Sequence, residues 1–499
     1  MNYLESLETE AGYVKTLNGA KTHGTSGSAC LDLFAVAGGM RGRSARDLTM
    51  LFDLAYLEDP DLAMKLLFYI RDIREGLGER EIFRTLVRHV AKTWPESAKK
   101  NVGLIPEYGR YDDLMCLMRT SSQKAVVRSI KDQLEEDLAA LAQREGGNKN
   151  AHISLLAKWL PSINASSPRT RGQARVLCET LGMSKTEYRR ILTKLRAAIG
   201  ITERYLTEKK TDEICYEAVP AGAMLRYRNA FSRRDGRRFL EYIGDAGEAI
   251  HSDTLYPYEI LRPYFKNGWY LSERVKVPGE KILNALWNSR DGVVADQNAI
   301  SVIDTSGSMY YGRPGNPTPA LISQSLGLYY AERCEGLFHN MFITFESRPH
   351  LLKIRGNTLR DKICSIQCAD WGGSTDMEAV FDLILKAAVK ANAPQEEMPS
   401  TLYIISDMEF NCAVRDPDKT VFDNAKEKFA ACGYKMPAVV FQNVNSWQMQ
   451  VPVRAHEKGT ALTSGAGTNS MKHKFDGNVT PMEHMLRVLN SSRYAAVQA

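Results

Sequence analysis

The chain has 499 residues, 44% hydrophobic and 25% charged, with a formal net charge of +6. That length holds two or three domains of ordinary globular composition. The nine cysteines are odd in number, scattered and without a C-x-x-C pair, and Cys364/Cys368 lacks a histidine at ligand spacing, which argues against zinc. The acidic start, Met1 to Glu8, has no signal-peptide pattern, and no apolar run approaches the roughly 20 residues that span a bilayer. These features point away from secretion and the membrane and towards a cytoplasmic protein with reduced thiols.

Up to about Leu283 the sequence reads as helix after helix. Residues 45–54 and 63–73 carry apolar side chains at helical spacing. Gly76 and Gly78 break the second run, and Glu79 to Lys92 restarts it. Helices joined by short turns predict stacked helical pairs of HEAT-like type. From Arg169 to Arg238, 17 Lys/Arg stand against 8 Asp/Glu, a local excess of +9 that leaves the rest of the chain at −3. Such concentration is the electrostatic footprint of a nucleic-acid partner, although solvated helix faces produce charge runs too.

The candidate RNA contacts are Arg169, Arg171 and Arg175 after a Ser-Ser-Pro turn, then Arg189, Arg190, Lys194 and Arg196 on one short helical stretch. Arg226, Arg228, Arg233, Arg234, Arg237 and Arg238 follow, interleaved with Tyr227, Phe231 and Phe239. Cations neutralise phosphates while aromatic faces and guanidinium planes stack bases. Tyr188 and Phe239 fit a helical core better than a stacking platform.

After a weakly patterned junction, Arg262 to Asn298, the period changes. Apolar strands are expected at 299–303, 341–345, 402–405 and 438–441, alternating with helices at 319–335, 377–390 and 421–432. A last strand begins at Thr460, and a closing helix covers 481–489. This alternation predicts a doubly wound α/β domain over 296–499, following an all-helical region over 1–285.

The first of these strands runs into Asp304-Thr305-Ser306-Gly307-Ser308. Ligands of open parallel sheets collect at the carboxyl ends of strands. This end offers one carboxylate and two hydroxyls at alternate positions, an all-oxygen set suited to Mg²⁺, Mn²⁺ or Ca²⁺. A second strand ends in Ser406-Asp407. Between the two lies Gly372-Gly373-Ser374-Thr375-Asp376. Serines that merely cap a following helix would explain one loop, not three. In order and spacing the three loops resemble the metal-ion-dependent adhesion site of von Willebrand factor A domains. The resemblance implies that Ser306, Ser308 and Thr375 hold Mg²⁺ or another oxygen-seeking divalent cation directly, with Asp304 and Asp407 binding directly or through water. It also implies an open position that an acidic protein partner can fill, with Tyr310, Tyr311 and Arg313 beside it.

A helical half followed by such an A domain resembles the Ro autoantigen (TROVE) family, in which a ring of helical repeats closed by an A domain binds structured and single-stranded RNA. Ile70 to Arg80 and Tyr108-Gly109-Arg110-Tyr111-Asp112-Asp113-Leu114 are similar to that family's segments, with Tyr111 in place of tryptophan. Three further segments, Gly27 to Phe34, Ala157 to Ile163 and Phe441 to Ser446, resemble an uncharacterised family of the same architecture. The expectation is a cytoplasmic RNA-binding scaffold of ribonucleoprotein type. The alternative is a metal-dependent protein adaptor without RNA. Enzymatic activity is not expected: the motif has too few carboxylates for a two-metal centre, and there is no P-loop, nucleophile elbow or H-E-x-x-H.

Overall fold

The computed structural model describes residues 12–499 apart from 246–249, 251, 267–269, 272–276, 291–297, 313–314, 370, 372, 412–419 and 476. Among the described residues the first element is an antiparallel hairpin, β1 (Tyr13–Lys15) and β2 (Lys21–His23), in a region expected to be all-helical. The principal helices that follow are α1 (Ala29–Val36), α2 (Ala45–Glu58), α3 (Pro60–Arg71), α4 (Arg80–Thr93), α5 (Gln123–Glu145), α6 (Pro168–Leu181), α7 (Lys185–Ala198), α8 (Ala221–Arg234) and α9 (Gly236–Asp245). Local signals set their ends. Ser28 caps α1, Asp59 with Pro60 starts α3, and Ser167 with Pro168 starts α6, which stops at the left-handed Gly182. A two-residue ladder, β3 (Phe265–Lys266) with β4 (Tyr270–Leu271), and α10 (Glu280–Asn288) lead into the second half.

That half is built on a six-stranded sheet of β5 (Ala299–Ile303), β6 (Met341–Thr344), β7 (Leu351–Lys353), β8 (Thr401–Ser406), β9 (Ala438–Asn443) and β10 (Thr460–Ser464), in the order β10-β9-β8-β5-β6-β7. All pairs are parallel except β6 with β7, an antiparallel edge unforeseen in the sequence. Helices α11 (Pro319–Arg333), α12 (Leu359–Gln367), α13 (Met377–Ala391), α14 (Val421–Ala431) and α15 (Pro481–Leu489) accompany it. The chain winds from β5 through β6 to one edge and from β8 through β9 to the other. The topological switch therefore lies between β5 and β8, where open α/β sheets present their binding crevice.

Alternate residues of each strand enter different cores. Ile300, Val302, Leu402, Ile404, Val439 and Phe441 share a core with Phe34, Phe52, Phe68 and Leu86 of the helical region. Ala299, Ile303, Tyr403, Ile405 and Val440 share another with Met224, Phe231, Tyr264 and Trp287. The helical region thus packs directly onto the C-terminal half, with α1 lying on β10.

At that contact Gly38 meets Gly465 backbone to backbone: a Cβ on Gly38 would lie 2.4 Å from Gly465 N. Ser464 Oγ donates to Phe34 O (2.9 Å), and Ser446 donates through its amide to Gly39 O (2.9 Å) and through its hydroxyl to Val36 O (3.0 Å). The two segments quoted for the Ro resemblance also meet. Asp113, fully buried, accepts from Arg71 Nε (2.8 Å) and Arg84 Nε (2.6 Å), so these motifs are explained by packing.

Candidate functional site

The carboxyl ends of β5 and β8 bring Asp304, Ser306, Ser308 and Asp407 together. Asp304 is wholly buried: its Oδ1 accepts from the Ser306 amide (2.8 Å) and its Oδ2 from Ser406 Oγ (2.5 Å). Ser306 Oγ and Ser308 Oγ stand 3.2 Å apart. Asp407 Oδ1 accepts from the Glu409 amide (3.2 Å), while its Oδ2 is buried without a hydrogen-bond partner. Burial, and next the charge of Asp304, raise the Asp407 pKa, and the Ser308 hydroxyl offsets only part of this. Burial likewise raises Asp304. Two carboxyls held out of water and electrostatically coupled, one oxygen without a partner and two hydroxyls on the same loops, form a donor set whose charge a cation would offset. An all-oxygen donor set fits a hard divalent ion. Among the described residues no group of three or more His, Cys, Asp and Glu gathers as a metal site. Any ion here would thus depend on serine and threonine hydroxyls.

Thr375 joins this group through an intermediary. Its hydroxyl donates to Glu409 O (2.8 Å) and lies 3.2 Å from Asn411 Oδ1. Asp376 caps α13, accepting from the Ala379 amide (2.9 Å). Gly372 lies outside the described residues. Met408, between Asp407 and Glu409, holds φ 65°. That left-handed conformation costs a side-chain-bearing residue roughly 1 kcal/mol or more, and such strain concentrates at functional loops.

The hairpin supplies contacts that the sequence did not suggest. Thr16 Oγ1 donates to Phe410 O (2.6 Å) and the Leu17 amide to Glu409 Oε2 (2.6 Å). Asn18 Nδ2 donates to Glu409 O (2.6 Å) and reaches Thr375 Oγ1 (3.4 Å). The tip of the hairpin therefore braces the loops that carry Thr375 and Asp407. Asn18-Gly19 between extended segments was the available signal.

Of the expected partner-facing residues, Tyr311 is 66% exposed and Tyr310 half-buried, and Arg313 lies outside the described residues. Trp371, just before the glycine turn, stacks on Phe342 with ring centroids 5.9 Å apart.

The basic residues divide into two kinds. Five guanidinium groups each hold at least one backbone carbonyl outside their own helix. Arg171 donates to Ala165 O and Ser166 O, Arg196 to Ala157 O and Leu160 O, and Arg228 to Pro278 O and Leu225 O. Arg234 donates to Leu206 O, and Arg238 to Asp212 O and Ile214 O. Arg233 bonds Asn229 O within α8, and Arg237 pairs with Glu241. Arg169, Arg175, Arg189, Arg190, Lys194 and Arg226 are exposed, with no carboxylate partner among the described residues. Those on α6 and α7 belong to helices packed together, while α8 and α9 build on the other core. Tyr188 and Phe239 are both buried. No described helix is long and apolar enough to cross a membrane.

Fold and site together define a doubly wound α/β domain with an oxygen-lined loop cluster at its switch point, clasped by a helical region. Residues 298–493 match the model of a domain of unknown function, DUF7788, and residues 16–126 and 179–296 match that of another, DUF2828. The chain is similar to uncharacterized protein L728 of Acanthamoeba polyphaga mimivirus, 28% identical over 513 residues, covering 95% of this chain and 86% of that protein. Among solved structures, the Ro (RSR) protein of Deinococcus radiodurans aligns over 90% of this chain and 99% of its own, at 16% identity and a TM-score of 0.48.

Proposed function

We propose that this protein is an RNA-binding scaffold whose α/β domain carries a divalent cation, Mg²⁺ or a similar hard ion. The RNA part rests on the exposed cations of α6 and α7, Arg169, Arg175, Arg189, Arg190 and Lys194, which have no carboxylate partner among the described residues. Cations without carboxylate partners are free to neutralise phosphates. Ser306, Ser308, Asp304 and Asp407, with Thr375, are the residues that would hold the ion. A bound ion offers an electrophilic anchor for a partner's carboxylate or phosphate. The chain's own residues orient that anchor: Ser406 fixes Asp304, and Glu409 ties Thr375 to Asp407. The scaffold is assigned no reaction, and cytoplasmic residence is part of the same proposal. The exposed Tyr311 ring favours a second reading, a metal-dependent protein adaptor, because tyrosine is enriched at interaction hot spots.

Replacing Arg175, Arg189, Arg190 and Lys194 by Ala tests the RNA reading without touching a carbonyl-holding arginine. Single-stranded RNA affinity is expected to fall, with the salt slope flattening by about 0.7 per lost phosphate contact. Unchanged affinity and slope would remove α6 and α7 from the RNA surface.

A further inference from the structure

A cavity of about 320 Å³ opens between the segment 115–119 and α6, lined by Met115, Met118, Arg119, Arg169, Gln173 and Val176, with Gly172 in its wall. Its size is at the lower end of small-ligand sites. Several features there have no structural explanation. Arg119 holds the left-handed region at φ 67°, its amide bound to Gln123 Oε1 (2.8 Å). Neither the Arg119 nor the Arg169 guanidinium has a carboxylate or carbonyl partner among the described residues, and both are exposed. Gly172 lies inside α6, where glycine weakens a helix, yet its φ is not positive and a Cβ there would meet nothing within 4 Å. The exposed glycine leaves this part of the cavity wall without a side chain and serves neither a turn nor a close backbone contact.

The chemistry of the wall is mixed in a particular way. Met115, Met118 and Val176 give an apolar face, and thioethers make favourable contacts with flat aromatic rings. Gln173 offers a donor and an acceptor at one point. The two guanidinium groups can neutralise a phosphate and stack on a base. We infer that this cavity receives one nucleotide of a single-stranded RNA, its base against the methionines and Gln173 and its phosphate between Arg119 and Arg169. The inference rests on the RNA-binding reading and adds a defined pocket to it, bringing in Arg119, Met115, Met118 and Gln173.

The test uses the full chain and fluorescein-labelled ten-nucleotide oligo(A) and oligo(U), titrated at several salt concentrations. Gly172→Leu fills the pocket while replacing glycine by a better helix former. It is expected to weaken strand binding at least tenfold with an unchanged or higher Tm. Arg119→Ala with Arg169→Ala leaves the pocket open. It should weaken binding tenfold or more and flatten the salt slope by up to about 1.4 for two lost phosphate contacts. Wild-type binding that both variants retain in full would overturn the pocket while leaving RNA binding in place. A wild-type chain that binds neither strand would overturn the RNA reading and the pocket with it. A phosphopeptide that binds wild type, is lost in both variants and is not displaced by either strand would assign the pocket to a protein ligand and overturn the inference.

Discussion

Asp407→Asn is expected to make the protein more stable in EDTA and indifferent to Mg²⁺. The two effects have opposite signs, which separates a metal ligand from a structural aspartate. Asp407 carries a buried oxygen without a hydrogen-bond partner and feels the charge of the buried Asp304 carboxyl. A buried polar group left unsatisfied costs about 1–3 kcal/mol, and a charged one more. The amide of asparagine is neutral and can donate where the carboxylate oxygen had no partner, so a gain of roughly that size is expected in EDTA. Wild type in turn gains from the ion: at a hundredfold excess over Kd, linkage stabilises by about 2.7 kcal/mol. Denaturant titrations of both proteins in EDTA and in Mg²⁺ read all four states. A loss of stability for Asp407→Asn in EDTA would make the aspartate structural. An equal response of both proteins to Mg²⁺ would remove the ion from this site.

Gly38→Ala is expected to have the largest effect on folding. The added methyl would lie 2.4–2.6 Å from Gly465 N, Gly465 Cα and Ser464 C, all backbone atoms that no rotamer change can move. Overpacking costs about 1–3 kcal/mol in forgiving sites and more where backbone must shift. Four hydrogen bonds depend on the same approach, those of Ser464 with Phe34 O and Gly38 N and those of Ser446 with Gly39 O and Val36 O. A lowered midpoint with loosening of both halves, read by hydrogen exchange in residues 29–39 and 438–465, is the expected outcome. A variant as stable as wild type would show that α1 does not dock on β10 in solution.

The α/β half was legible because its strands are buried on both faces. Ala299–Ile303 was delimited to the residue, and the helices expected at 319–335, 377–390, 421–432 and 481–489 form over 319–333, 377–391, 421–431 and 481–489. The short edge strand Leu351–Lys353 was not, because its residues are exposed or half-buried and give no continuous apolar run. The three metal-motif loops were legible as spacing, but two facts needed coordinates: that Thr375 faces Glu409 O, and that the hairpin tip rests on both. Contacts across more than 350 residues leave no local pattern. The segments that carried the resemblance to an uncharacterised family have a physical role: 27–34 and 441–446 belong to the seam between the halves. Ala157–Ile163 is held by Arg196 and by Tyr188 Oη, which donates to Pro161 O (2.9 Å). Charge counting gave the excess but could not tell an arginine that holds carbonyls, such as Arg238, from one open to solvent, such as Arg189. Only the partners distinguish them.

The most direct measurement is the nucleic acid that accompanies the intact protein when it is purified without nuclease, washed at moderate salt and sequenced. A discrete, recurring RNA, reduced in the Arg175/Arg189/Arg190/Lys194→Ala protein, is the predicted result. A protein free of nucleic acid that also fails to bind added single strands would contradict RNA binding.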